Sequence, residues 1–189
     1  MQKVIGIDIG GTKINAGVID EKGEILKKVK LETEANKGRG VILSKVFNIV
    51  DEFTNEFKIS GIGIGSPGFI NVDEGIVEHV VSTMVNWKGT NIKKEVENKF
   101  SIPVSVDKDS NLAAMAEMWM GAAKNTNNFI MITLGTGVGG SYYNLESGLI
   151  RGEHWRGAEF GHIILYPDGR KCGCGQAGCV EQYISGTAI

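Results

Sequence analysis

The chain has 189 residues, with 20 Lys+Arg against 22 Asp+Glu and a formal net charge of -2. That length suits one large domain or two small ones with a core that needs no staple, and 42% hydrophobic with 22% charged residues is ordinary globular material. The near-neutral balance argues against a nucleic-acid glove or a membrane-surface protein, which need a basic face. No apolar run approaches the roughly 18 residues of a membrane span. MQKVIGIDIGG lacks the apolar stretch and cleavage site of a signal peptide, so a cytoplasmic protein is expected.

In chain order, Val4, Ile5, Ile7 and Ile9 predict a short strand that breaks at Gly10-Gly11. Ile14, Ala16 and Val18 alternate with polar residues, as in a half-buried strand. Asp20-Glu21-Lys22-Gly23 signals a turn before a third strand over residues 25–31, which makes an antiparallel meander. Val41, Ile42, Val46, Ile49, Val50, Phe53 and Phe57 have the three-and-four spacing of a helix. Residues 59–64 read as a glycine-interrupted strand leading into Ser66-Pro67-Gly68. Ile92, Val96 and Phe100 mark a helix that stops before Pro103. A strand at 104–106, a helix from Asn111 to about Ala123 with small residues on one side, and a buried-type strand at 129–134 follow. The order βββαβαβα with a new β-start is an α/β chain with a mixed sheet. A second glycine-turn-strand unit begins near residue 118–125, so a first domain over 1–118 and a second over 119–189 are expected. Trp87, Trp119 and Trp155, with Met115, Met118 and Met120, are read as core; His79 is given no role.

Two features stand out. The chain holds 27 glycines, about twice the usual share of roughly 7%, in tight clusters rather than repeats. In Asp8-Ile9-Gly10-Gly11-Thr12-Lys13 a strand runs into two glycines, which expose backbone N–H groups able to bind an anion, and Thr12 adds a hydroxyl. Asp8 suits a magnesium ion held through water. A plain hairpin turn is the blander reading of these residues, and the spacing is not that of a Walker A loop. In Leu134-Gly135-Thr136-Gly137-Val138-Gly139-Gly140, four glycines in six positions disfavour any regular element, and a phosphate-contacting loop fits better than packing. The two strand-glycine-strand units echo one another.

All three cysteines, Cys172, Cys174 and Cys179, lie within eight residues. An odd, clustered set in a reducing compartment points to metal rather than disulfides. With His162 they make a closed, structural tetrahedral zinc set; His154 is an alternative fourth ligand. Glu159 and Glu181 flank this loop. Each reads either as a solvated charge or, with His162, as an acceptor for the hydroxyls of a polyhydroxylated ligand. Asp109 sits where a strand gives way to a helix, either as an N-cap or as a general base toward a substrate hydroxyl.

DIGGTK at 8–13, LGTGVGG at 134–140, Glu159-Phe160-Gly161-His162 and CGCGQAGCVE at 172–181 together resemble the ROK family of sugar kinases and repressors, along essentially the whole chain. The resemblance implies the actin-like (ribonuclease H-like) ATPase fold with two lobes, the second incomplete here. It implies ATP and Mg²⁺ as cofactors, with Asp8, Gly10, Gly11, Thr12, Lys13, Gly135, Thr136, Gly137 and Gly139 at the ATP phosphates. It implies Asp109 as the base, and Gly68, Lys108, Asp109, Glu159, His162 and Glu181 at a hexose. It also implies a structural Zn²⁺ on His162, Cys172, Cys174 and Cys179, with one imidazole nitrogen on the metal and the other toward the sugar.

Two departures bear on that expectation. The family's Asn before the base is Lys108 here, and a cation beside Asp109 favours the ionised carboxylate and weakens it as a base. The chain stops at Ile189, where family members continue for roughly another hundred residues, a normal second-lobe length, so it reads as a fragment. The leading expectation is an ATP-dependent kinase of glucose or a related hexose, N-acetylhexosamines included. The alternatives are a sugar-binding protein without catalysis and a sugar-responsive transcriptional regulator, the latter disfavoured because only three residues precede Val4. The expected partners are hexose and ATP, with no nucleic acid and no membrane; family members are commonly homo-oligomers.

Overall fold

A computed structural model describes residues 2–80 and 84–189, and the chain divides into two compact units, Met1–Asp109 and Ser110–Ile189. The division near residue 118 read from the sequence falls inside a helix.

In the first unit β1 (Lys3–Ile9), β2 (Lys13–Asp20) and β3 (Ile25–Glu32) form the expected meander, and α1 (Arg39–Glu56) follows. Next come β4 (Gly61–Ser66), a short hairpin of β5 (Phe69–Asn71) and β6 (Ile76–His79), α2 (Ile92–Phe100) and β7 (Val104–Lys108). The sheet order is β3-β2-β1-β4-β7. β1 pairs antiparallel with β2 and parallel with β4, and β4 pairs parallel with β7.

Period-two alternation on β1 buries Ile5, Ile7 and Ile9 on one face. They share a core with Ile42, Val46, Ile49, Val50 and Phe53, the 3–4-spaced stripe of α1. Trp87 is fully buried, and its indole N–H donates to Ser66 Oγ at 3.0 Å. Asn91 caps α2 by accepting the Lys94 N–H at 2.9 Å. The β5–β6 hairpin is absent from the sequence expectations, because three- and four-residue strands carry almost no periodicity.

The register decides where the candidate residues emerge. Asp8 lies opposite Gly65, Gly65 opposite Asp107, and Ser66 opposite Lys108. The carboxyl ends of all three parallel strands therefore share one edge, where open α/β sheets bind ligands.

β7 runs directly into α3 (Asp109–Met120). The second unit holds the antiparallel sheet β10-β9-β8, from β8 (Asn128–Leu134), β9 (Val138–Asn144) and β10 (Gly148–Leu149), and the short helix α4 (Glu181–Ile184). The buried stripe of α3 is Ser110, Asn111 and Ala114. Ser110 Oγ donates to the Gly140 carbonyl at 3.1 Å and Ser141 Oγ to Asn111 Oδ1 at 3.0 Å, both on β9.

Small residues face inward on this helix, so large ones point out. Trp119, Met115 and Met120 are exposed and Met118 is half-buried, which corrects their reading as core. Trp155 is half-buried, and of that group Trp87 alone is core. His79 stacks on Phe69 at 5.7 Å between ring centroids. Among the described residues no helix is long and apolar enough to cross a membrane.

Candidate functional site

The first unit supplies one group of candidates along its sheet edge. Asp8, next to last on β1, is exposed, and its carboxylate accepts from Asn15 Nδ2 at 3.2 Å. The Gly10–Lys13 turn closes through the Gly10 N–H to the Lys13 carbonyl at 2.9 Å. Two of its carbonyls are taken by Thr33, a fully buried residue just past β3: Thr33 Oγ1 donates to the Gly10 carbonyl at 2.7 Å and the Thr33 N–H to the Thr12 carbonyl at 2.8 Å. Among the described residues nothing accepts from the Gly11 or Thr12 N–H.

Gly68 follows β4 with φ of 103°, and a Cβ there would strike the His79 carbonyl, so only glycine fits. At the end of β7, Asp107 is buried and caps its own turn by accepting the Lys108 N–H at 2.7 Å. Lys108 is half-buried, and Asp109 is the exposed first residue of α3.

The second unit holds the other group. In the glycine loop the Gly135 N–H donates to the Gly137 carbonyl at 3.0 Å, and the Gly186 N–H donates to the Gly135 carbonyl at 2.8 Å. Thr187 Oγ1 donates to the Thr136 carbonyl at 2.8 Å, and the Val138 N–H donates to Glu181 Oε2 at 2.8 Å. That accounts for every polar backbone group from the Gly135 N–H to the Val138 N–H except two. The Thr136 and Gly137 N–H groups have no acceptor among the described residues.

His162, Cys172, Cys174 and Cys179 bring their ligand atoms within 4.8 Å of one another. Cys174 Sγ lies 3.6 Å from Cys179 Sγ, and Cys172 Sγ lies 3.6 Å from His162 Nδ1. A tetrahedron of ligands about 2.3 Å from zinc has edges of about 3.8 Å, so this set fits a zinc ion. His154 is exposed beside Glu153 and stands outside the set.

The loop is built for close wrapping. The Cys172 N–H donates to the Gln176 carbonyl at 2.8 Å, and Gly178 has φ of 77° with the Tyr166 carbonyl where a Cβ would be. Burial pushes the Cys179 thiol up to about 12, reinforced by Cys174 and Cys172. Burial also opposes ionisation of Cys174, but the Gln176 N–H and the neighbouring thiols outweigh it and hold that group below its ordinary value. A cation in their midst would replace these thiol protons.

His162 presents its other nitrogen elsewhere: Nε2 lies 3.8 Å from Glu159 Oε2, and both side chains are partly accessible. The structure thus joins Glu159 to His162, and His162 to the cysteines, while Glu181 meets the glycine loop. Thr33, Ser110, Asn111, Ser141, Gly186 and Thr187 carry no sequence signal for their contacts, because each hydrogen bond is made to a distant part of the chain.

Comparison with known proteins gives this arrangement its lineage. The sequence model of the ROK family matches residues 4–189, and the chain belongs to that family. It is 41% identical over 189 residues to a glucokinase of Streptomyces coelicolor, across 100% of this chain and 58% of that one. A xylose repressor of Bacillus subtilis is 30% identical over 189 residues, across 98% of this chain and 48% of the repressor. The structure is similar to the crystal structure of a ROK family glucokinase from Streptomyces griseus in complex with glucose and AMPPNP, with a TM-score of 0.86 and 40% identity, covering 98% of this chain and 58% of that one. The fold is therefore the actin-like ATPase fold. The chain spans little more than half the length of the curated glucokinase it matches.

Proposed function

We propose that this ROK-family chain carries the hexose-binding and phosphate-binding parts of an ATP-dependent sugar kinase. The observation that carries the reading is the two-sided placement of His162, with Nδ1 on the cysteine cluster and Nε2 toward Glu159. A metal on the first side fixes the ring, and the second side, with the carboxylate, suits the hydroxyls of a sugar. The likeness to a glucokinase solved with glucose and AMPPNP supports the same assignment.

In this reading Glu159, His162, Glu181, Gly68 and Lys108 bind and orient the hexose. The N–H groups of Gly11 and Thr12 in the first unit, with Gly10 and Lys13, have no acceptor among the described residues, nor do those of Thr136 and Gly137 in the second, with Gly135 and Gly139; each set contacts ATP phosphate oxygens. Asp109 accepts the proton of one sugar hydroxyl while that oxygen attacks the γ-phosphorus, and the bond to the β-phosphate oxygen breaks to release ADP. Asp8 would hold a magnesium ion through water, and the ion supplies charge neutralisation at the phosphates. Zinc on His162, Cys172, Cys174 and Cys179 is structural, since four protein ligands leave no open position. The protein works in the cytoplasm, where the three thiols stay reduced.

Calorimetric titration with glucose, N-acetylglucosamine, N-acetylmannosamine, mannose and fructose, followed by assay for phosphorylated hexose with ATP, tests this. Saturable binding of one hexose with formation of its phosphate is the expected result. A second reading, sugar recognition without phosphoryl transfer, is favoured by Lys108 beside Asp109 and by the likeness to a xylose repressor. It predicts hexose binding with no phosphorylated product.

A further inference from the structure

The two glycine turns are braced in the same way, each by a threonine that lies outside its motif. In a trans peptide the carbonyl of one residue and the N–H of the next point in opposite directions, and the described chain has no cis peptide. Whatever binds a loop carbonyl therefore aims the following N–H the other way.

Thr33 Oγ1 binds the Gly10 carbonyl, so the Gly11 N–H points away from Thr33. Thr187 Oγ1 binds the Thr136 carbonyl, so the Gly137 N–H points away from Thr187. The Gly186 N–H binds the Gly135 carbonyl and turns the Thr136 N–H outward by the same logic. All three of these outward donors are left without an acceptor among the described residues. Glycine does not fix such an orientation by itself, since its backbone visits many conformations.

We infer that Thr33 and Thr187 are positioning residues, each of which aims the backbone N–H groups of the glycine turn in its own unit at phosphate. The inference rests on the phosphate-loop part of the proposed function and adds what sets the direction of the donors. Thr33 is rigid because it is fully buried and uses both its hydroxyl and its N–H. Thr187 is exposed, but its hydroxyl also lies 3.2 Å from that of the buried Ser185. The segment is further tied to the cysteine loop, because Arg170 Nη1 donates to the Gln182 carbonyl at 2.8 Å. The second glycine loop is thus held from the side of the metal-type cluster, within one unit.

The test is titration of the ¹⁵N-labelled chain with magnesium tripolyphosphate, read at the amides of Gly11, Thr136 and Gly137. In the wild type these signals shift saturably. Thr187→Val, nearly the same shape without the hydroxyl, weakens binding read at Thr136 and Gly137 by about fivefold, the worth of one ordinary hydrogen bond. The same two signals also move or broaden before any ligand is added, while the melting temperature stays unchanged. Thr187→Ser restores both. Thr33→Val and Thr33→Ser do the same at Gly11, and if the buried valine variant fails to fold, the Thr187 pair decides the question. A Thr187→Val protein with wild-type signals and wild-type affinity overturns the inference alone. A wild type whose glycine-turn amides ignore tripolyphosphate overturns the phosphate-loop reading and the inference with it.

Discussion

The Glu181 carboxylate accepts the Val138 N–H at 2.8 Å, which ties the first residue of α4 to the first residue of β9 across the glycine loop. A Cβ on Gly137 would strike the same carboxylate, so Glu181 and the loop fit one another closely. A charge-assisted bond of this kind contributes about 1.5–3 kcal/mol. Glu181→Ala is expected to lower the stability of the chain by about that amount, seen in urea denaturation, and to weaken hexose binding in calorimetry. Glu181→Gln keeps an acceptor oxygen and should recover part of the stability. An alanine variant as stable as the wild type would show that the bond does not persist in solution.

The same pair marks the limit of what the sequence carries. Gly10-Gly11 and the four glycines at 135–140 announce their turns because glycine leaves a local trace. The meander, α1, α2 and β7 are legible from periodicity, and His162 with three close cysteines from ligand chemistry. Glu181 on Val138, Thr33 on Gly10 and Thr187 on Thr136 are contacts across 43, 23 and 51 residues, which no local pattern encodes. Trp119 and Met120 misled because size suggests burial, whereas the close approach of α3 to β9 selects Ser110, Asn111 and Ala114 for the inner face.

Acid should weaken one surface cluster in a defined window. Lys37, and then Lys45, hold the Glu34 carboxyl down at about 2, against an ordinary 4.5. Since the folded value lies below the unfolded one, the carboxylate stabilises the fold above about pH 4.5, and that contribution is lost as pH falls toward 2. Glu34→Gln should be slightly less stable than the wild type at pH 7 and equal to it near pH 2, in urea midpoints at low salt. The effect is small and shrinks with added salt, because the cluster lies at the surface, with Lys37 exposed and Glu34 and Lys45 only partly buried. A constant difference across that range would mean that the ion pairs contribute nothing.

Metal analysis of purified protein should find about one zinc per chain, the content of a single closed tetrahedral site. Cys174→Ser is expected to lose it and to loosen residues 160–184, seen as faster amide exchange there with β1–β4 protected as before. Coupled metal binding and folding make that loss large, because the ligand set lies in a loop with little core of its own. Metal-free protein with unchanged protection over 160–184 would sink the structural-zinc assignment.

The base assignment separates catalysis from binding. Asp109 is exposed at the head of α3 with Lys108 before it, and a positioned general base contributes roughly 10²–10⁴-fold to a rate. In the protein that phosphorylates hexose, Asp109→Ala should lower kcat by about that factor while leaving hexose affinity within a few-fold. Lys108→Asn, which returns the residue usual in the family, should change the choice of hexose or raise kcat. The split matters because an N-cap role alone costs only about 1 kcal/mol of stability and leaves the chemical step intact. Full turnover by the Asp109→Ala protein, with a lowered melting temperature, would assign Asp109 to capping and leave the kinase reading in need of another base.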